Sequence, residues 1–260
     1  MPSSGYGPDF SAIFNLQAFC KHLIMKQHLP NAITLSNLFF GCCALVTLFT
    51  RQWEWTFGFV AAGVAADYLD GLVARWLKVH SELGKELDSL ADLITFGLVP
   101  GAIFYSLLLD AWALDGQRFS WLAAPGFFVS VFAGLRLAIF NLDERQADSF
   151  LGLPTPSAAI FSLGLLLIAE VDSLGLGRLL ENPYVLYGLI IFLANLLVAE
   201  VPMFSLKFKD LSWRGNEVRY IFLGLMVLLL FLIREAAFST IILLYILFSL
   251  LQKYLKPATR

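Results

Sequence analysis

Long apolar runs, each closed by a few polar residues, set the pattern of this 260-residue chain. They fall at about 33–49, 55–77, 88–109, 121–141, 156–171, 184–202, 218–233 and 237–252. A helix that crosses a bilayer needs roughly 20 mostly apolar residues, so the pattern predicts eight spans. Only Arg234 and Glu235 part the last two. Residues 11–28 read differently: apolar and polar positions alternate at helical spacing around Lys21 and Lys26. That spacing predicts an amphipathic helix lying in the membrane interface. Pro30-Asn31 is expected to break the chain between this helix and the first span.

Composition agrees with lipid as the solvent. Hydrophobic residues make up 58% and charged residues 15%, and mean hydropathy is +0.74. A soluble chain carries roughly 25% charged residues. Disordered, collagen-like and disulfide-scaffold classes fail on the same composition. The net charge of −2 gives no basic footprint, so no nucleic-acid partner is expected. Cys20, Cys42 and Cys43 read as small apolar residues, and the first ten residues lack the basic, then apolar, order of a cleavable signal peptide. Orientation follows the placement of Lys and Arg. With the N-terminus inside, the outer loops hold Arg51, Arg118, Arg178 and Arg234, and the other fourteen of the 18 basic residues lie on the inner side. Both termini are therefore expected in the cytoplasm.

One stretch carries the chemistry. Between positions 67 and 92, Asp67 and Asp70 stand three apart at the inner end of span two, and Asp88 and Asp92 stand four apart at the start of span three. A short turn containing Gly84 is expected to fold the two helices antiparallel, so that the four carboxylates converge. Unpaired carboxylates at membrane depth are costly and mark a functional site by default. Arg75 and Lys85 cannot neutralise all four. Hard divalent cations with oxygen ligands, Mg²⁺, Mn²⁺ or Ca²⁺, can. His80 stands alone and reads as a loop residue. Gly71 and Ala74 strip bulk from the acidic face, and Arg75 offers a planar fork suited to phosphate. Metals, a small-residue notch and an arginine fork together describe a pyrophosphate site.

The pattern Asp67-x2-Asp70-Gly71-x2-Ala74-Arg75-x8-Gly84-x3-Asp88-x3-Asp92 resembles the signature of the CDP-alcohol phosphotransferases in every specified position. Within that family the flanks are similar to the membrane-embedded phosphatidylserine synthases of bacteria and archaea. The supporting residues are Leu29 to Thr34 with Asn37, Lys85 to Asp92, Arg136-Leu137-Ala138 with Phe140-Asn141, Gly152 to Pro156, and Pro202 with Phe204 to Lys207. The resemblance covers roughly 29–210 and departs at Ile139, where a second arginine is expected. It implies an all-α polytopic bundle: a six-helix core over 29–210, an N-terminal tail and interfacial helix over 1–28, and an extra C-terminal pair of spans over 211–260. It also implies a homodimer in a cytoplasmic membrane, with its active site facing the cytoplasm.

Carried over by residue, the resemblance implies Asp67, Asp70, Asp88 and Asp92 as ligands of two divalent cations, Mg²⁺ or Mn²⁺, with Asp92 also the general base. The donor implied is CDP-diacylglycerol, bound by Asn31, Thr34, Asp67, Gly71, Ala74, Arg75, Ser81 and Lys85. For Asn31, Thr34 and Ser81 a helix cap or solvated loop position is the alternative role. The acceptor implied is L-serine, with Arg136 and Asn141 nearest to it; Arg136 reads equally as a snorkelling arginine that sets topology. Two alternatives remain open from the residues themselves. One keeps the donor and changes the acceptor to glycerol 3-phosphate or an inositol phosphate. The other is a cation transporter with intramembrane aspartates as ion sites.

Overall fold

A computed structural model of the protein describes residues 10–79, 81–114, 119–142, 150–203, 212–213 and 216–255, without the side chains of 10–27, 150 and 252–255. His80, the Phe204 to Lys207 segment and the polar and apolar faces of the N-terminal helix lie outside the described residues. Ten helices account for nearly all of the rest. α1 is Phe10–Phe49, α2 Trp53–Leu77 and α3 Glu82–Asp92. A π-helical turn, Leu93–Leu98, carries α3 without a break into α4, Val99–Ala111. Then come α5 (Phe128–Leu142), α6 (Thr155–Val171), the short α7 (Gly177–Leu180), α8 (Pro183–Val198), α9 (Glu217–Ile233) and α10 (Ala237–Leu255). Each of the eight expected runs is helical over most of its length, but among the described residues five stretches are long and apolar enough to cross a membrane: 28–49, 53–77, 82–111, 124–142 and 217–251. The all-α polytopic bundle is thus the observed fold. α6 and α8, of 17 and 16 residues, are apolar but shorter than these five stretches.

Two expectations are corrected. The chain does not break at Pro30: α1 runs straight through it. Proline inside a helix removes one backbone bond and costs about 3 kcal/mol, but neighbouring helices make it tolerable at membrane depth, and α1 packs along α2, α3 and α4. Gly84 is not in a connecting turn. The side chain of Ser81 accepts from Gly84 N at 3.2 Å and starts α3 one residue later, so the polar run from Glu82 is helical. The connection is only 78–81, and it opens with Lys78 in the left-handed region at φ 52°.

The span formed by α3, the π turn and α4 is the mast of the bundle. It is 72% buried, against 17–28% for the other long spans, and every residue from Val99 to Leu108 is buried. Phe96, Phe104 and Phe161 fill the centre. Small residues and polar pins close the helix contacts, as expected where lipid supplies no hydrophobic drive between helices. Thr56 Oγ1 donates to Thr47 Oγ1 at 3.0 Å between α2 and α1. Ser239 Oγ donates to the Phe161 carbonyl at 2.8 Å, tying α10 to α6 where Gly164 lets the backbones meet. A two-residue antiparallel pairing, Phe150–Leu151 with Pro202–Met203, fastens the start of α6 to the end of α8. Gly152, at φ +76°, turns the chain there with its N–H on the Val201 carbonyl.

Candidate active site

Three helices build the site. α2 brings Asp67, Asp70, Gly71, Ala74 and Arg75 on its last turns; α3 brings Ser81, Gly84, Lys85, Asp88 and Asp92; α1 lies against both and adds Asn31, Thr34 and Asn37 at three-residue steps on one face. Asp67, Asp70 and Asp88 each offer an oxygen within 4.8 Å of the others. Asp92 stands one turn further along α3, close enough for its charge to act on all three. None of the four makes an ion pair with Lys or Arg among the described residues. Asp88 Oδ1 is buried there with no hydrogen-bond partner, and Asp70 is held by Thr34, whose hydroxyl donates to Oδ2 at 2.6 Å. An all-oxygen set with a buried, unpartnered carboxylate oxygen fits a hard divalent cation.

Beside the acids opens a cavity of about 380 Å³. Asn31, Thr34, Gly71, Ala74, Arg75, Ser81 and Lys85 line it with Asp70 and Asp88, so the structure gathers every expected donor residue except Asp67, which stands in the acid cluster behind. Both terminal guanidinium nitrogens of Arg75 would meet a Cβ on Gly71 at 3.9 Å, an ordinary contact, so the packing itself leaves room for a side chain there. Gly84, by contrast, makes room for Asn31, whose Oδ1 would be 2.9 Å from an added Cβ. Ser81 both caps α3 and lines the cavity. Thr34 proves to be the hydrogen-bond partner of an acid, not a helix cap.

The expected acceptor residues sit apart from this cavity. Arg136 on α5 is 7% exposed, so it does not snorkel to the membrane surface. Its Nε has no partner among the described residues, its guanidinium lies 5.7 Å from the Phe140 ring centroid, and the charge of Asp92 acts on it. Asn141 is engaged by α3: its amide donates to Ser89 Oγ at 2.8 Å, and its carbonyl receives Lys85 Nζ at 3.5 Å. The Gly152–Pro156 stretch serves the pairing described above and does not line the cavity.

Two residues escaped the site list drawn from the sequence. Asn37 Nδ2 donates to Asp92 Oδ1 at 3.3 Å, and Thr95 Oγ1, in the π turn, donates to the Asn37 carbonyl at 3.1 Å. The signal for Asn37 was present as the third polar step after Asn31 and Thr34. Thr95 gave none, because nothing in the spacing announces a π turn.

Long apolar helices thus gather acids and an arginine-edged cavity at one helix-end junction, an arrangement suited to metal-assisted chemistry on a phosphate group in a membrane protein. A sequence model described as CDP-alcohol phosphatidyltransferase matches residues 27–201. A Helicobacter pylori protein named CDP-diacylglycerol–serine O-phosphatidyltransferase is 30% identical over 234 residues, covering 86% of this chain and 90% of its own. Proteins of the same name from Bacillus subtilis (34% over 134 residues, 52% of this chain and 72% of its own) and Saccharomyces cerevisiae (36% over 160 residues, 55% of each) are also similar. The chain belongs to the CDP-alcohol phosphatidyltransferase family. An enzyme of that family takes the place of the ion-transporter alternative.

Proposed function

We propose that the protein transfers the phosphatidyl group of CDP-diacylglycerol to L-serine, yielding phosphatidylserine and CMP. The observation that carries this reading is the single cavity that Arg75, Gly71, Ala74, Asn31, Ser81 and Lys85 line together with Asp70 and Asp88. The names of the relatives support the acceptor. Arg75 and Lys85 bring positive charge to the donor's phosphates, and the notch at Gly71 and Ala74 admits the nucleotide to the helix backbone. Two divalent cations, Mg²⁺ or Mn²⁺, bound by Asp67, Asp70, Asp88 and Asp92, would supply charge neutralisation for the pyrophosphate and the developing negative charge.

Asp92 takes the proton of the serine hydroxyl. The hydroxyl oxygen bonds to the phosphorus that carries diacylglycerol, the bond from that phosphorus to the bridging oxygen breaks, and CMP leaves with that oxygen. Arg136, buried and within the field of Asp92, is the residue of α5 suited to the serine carboxylate. The bias of Lys and Arg supports a cytoplasmic opening, reached by a soluble acceptor while the acyl chains stay in the bilayer. We read the enzyme as a homodimer, as the family resemblance implies.

The test is CMP release from CDP-diacylglycerol by the purified protein with Mg²⁺ or Mn²⁺, offering serine, glycerol 3-phosphate and inositol phosphate separately. Release with serine alone is expected. Release only with a phosphorylated acceptor overturns the serine assignment, and no release with any acceptor overturns the transfer itself.

A further inference from the structure

We propose that Asn37 is the positioning residue that fixes the carboxylate of Asp92, and that its amide is retained for this task and not for stability. The inference rests on the reading of Asp92 as general base. Asn37 is wholly buried and held at both ends of one junction. Its side chain donates to Asp92 Oδ1, on the last residue of α3, and its main-chain carbonyl accepts from Thr95, inside the π turn that follows. A π turn within an α-helix often marks a functional site. Here it separates by one turn the two residues that Asn37 grips.

The backbone around the junction is cleared for this contact. A Cβ on Gly63 would stand 2.7 Å from Thr95 Cγ2 and 3.1 Å from Asn37 Oδ1, so α2 can close on the pair only because position 63 is glycine. The same face of α1 gives one donor to each acid-bearing helix, Thr34 to Asp70 and Asn37 to Asp92.

The other half of the amide argues against a packing role. Asn37 Oδ1 is buried with no hydrogen-bond partner among the described residues. A desolvated, unpartnered carbonyl opposes folding, and the bond to Asp92, long at 3.3 Å, orients the carboxylate while offsetting little of that cost. A leucine has the same branched outline and would suit the fold better. What leucine cannot do is hold Oδ1 of Asp92 and so leave Oδ2 as the oxygen that meets the acceptor hydroxyl.

The test compares the full-length wild type with Asn37→Leu and Asn37→Ala in detergent or nanodiscs, reading CMP release, KM for CDP-diacylglycerol and the thermal unfolding midpoint. Both variants are expected to lose about 10²-fold in kcat, the scale of a misplaced catalytic group. Their donor KM should stay within twofold, and the Asn37→Leu midpoint should equal or exceed that of wild type. Wild-type-like kcat in Asn37→Leu overturns the proposal. So does a rise in donor KM without loss of kcat, or a midpoint that falls with kcat in both variants, which would make Asn37 structural. Failure of the underlying reading looks different: Asp92→Asn with Asn37 intact would then turn over at a near-normal rate.

Discussion

Thr34→Val isolates one hydrogen bond of the acid cluster. Thr34 is 4% exposed, and its hydroxyl reaches Asp70 Oδ2 at 2.6 Å. Valine keeps the branched shape and removes only the hydroxyl, with its short bond to Asp70 and its longer contact to the Pro30 carbonyl at 3.1 Å in the same helix. Hydrogen bonds to a charged group contribute about 1.5–3 kcal/mol, which at about 1.4 kcal/mol per decade is one to two powers of ten. Partners that orient a metal-binding carboxylate contribute on the same scale, about 10- to 100-fold in affinity. Titrating Mg²⁺ or Mn²⁺ against the rate of CMP release is therefore expected to show the half-maximal metal concentration raised by that factor. The rate at saturating metal should stay within a few-fold of wild type. Thr34→Ser, which keeps Oγ1, should behave as wild type. An unchanged metal requirement in Thr34→Val would refute the idea that Thr34 acts on the cations through Asp70, and a loss of rate that no metal concentration restores would refute it equally.

Asp92→Asn should lower turnover by at least the roughly 10²–10⁴-fold that a general base contributes, while leaving equilibrium binding of CDP-diacylglycerol in place; comparing single-turnover rates with donor binding checks this. Gly84→Ala sets a Cβ 2.9 Å from Asn31 Oδ1 and pushes that side chain from its place in the cavity. The donor KM is expected to rise about 2- to 10-fold, the range of one neutral hydrogen bond, with kcat little changed. Gly164→Ala sets a Cβ 2.5 Å from the Ser239 backbone nitrogen and 3.0 Å from Phe238 Cβ. That forces α10 away from α6 at a cost of about 1–3 kcal/mol, read as a lower unfolding midpoint in detergent.

The spans were legible because lipid forces every backbone polar group into a helix, so an apolar run of sufficient length has one outcome. The acids were legible for the converse reason, since four carboxylates near such runs need a chemical explanation. What the runs hid were the places where polar residues join a helix. Glu82 to Glu86 look like a loop by composition, yet one serine cap recruits them into α3. Pro30 looks like a stop, yet α1 carries it. Asn37 and Thr95 meet across helices, through a π turn that no residue spacing encodes. Arg136 was legible as a charge at a helix end, while its burial depends on neighbours distant in the chain.

The order of the site along the chain bears on how the protein is made. The cavity is lined entirely by residues between Pro30 and Asp88, and the three clustered acids lie in the same stretch. α1 packs mainly on α2 and α3, the helices that follow it at once. Domains of a nascent chain fold from the N-terminal end, and contacts between near neighbours form fastest. The half that holds the cavity and the clustered acids can thus assemble once α4 has left the ribosome, with α5 and its Arg136 still to come. On the proposed reading, binding of the donor headgroup and transfer to an acceptor would then be separable in biogenesis as well as in space: a chain arrested after α4 would hold the cavity and the acids, with no α5 to supply Arg136.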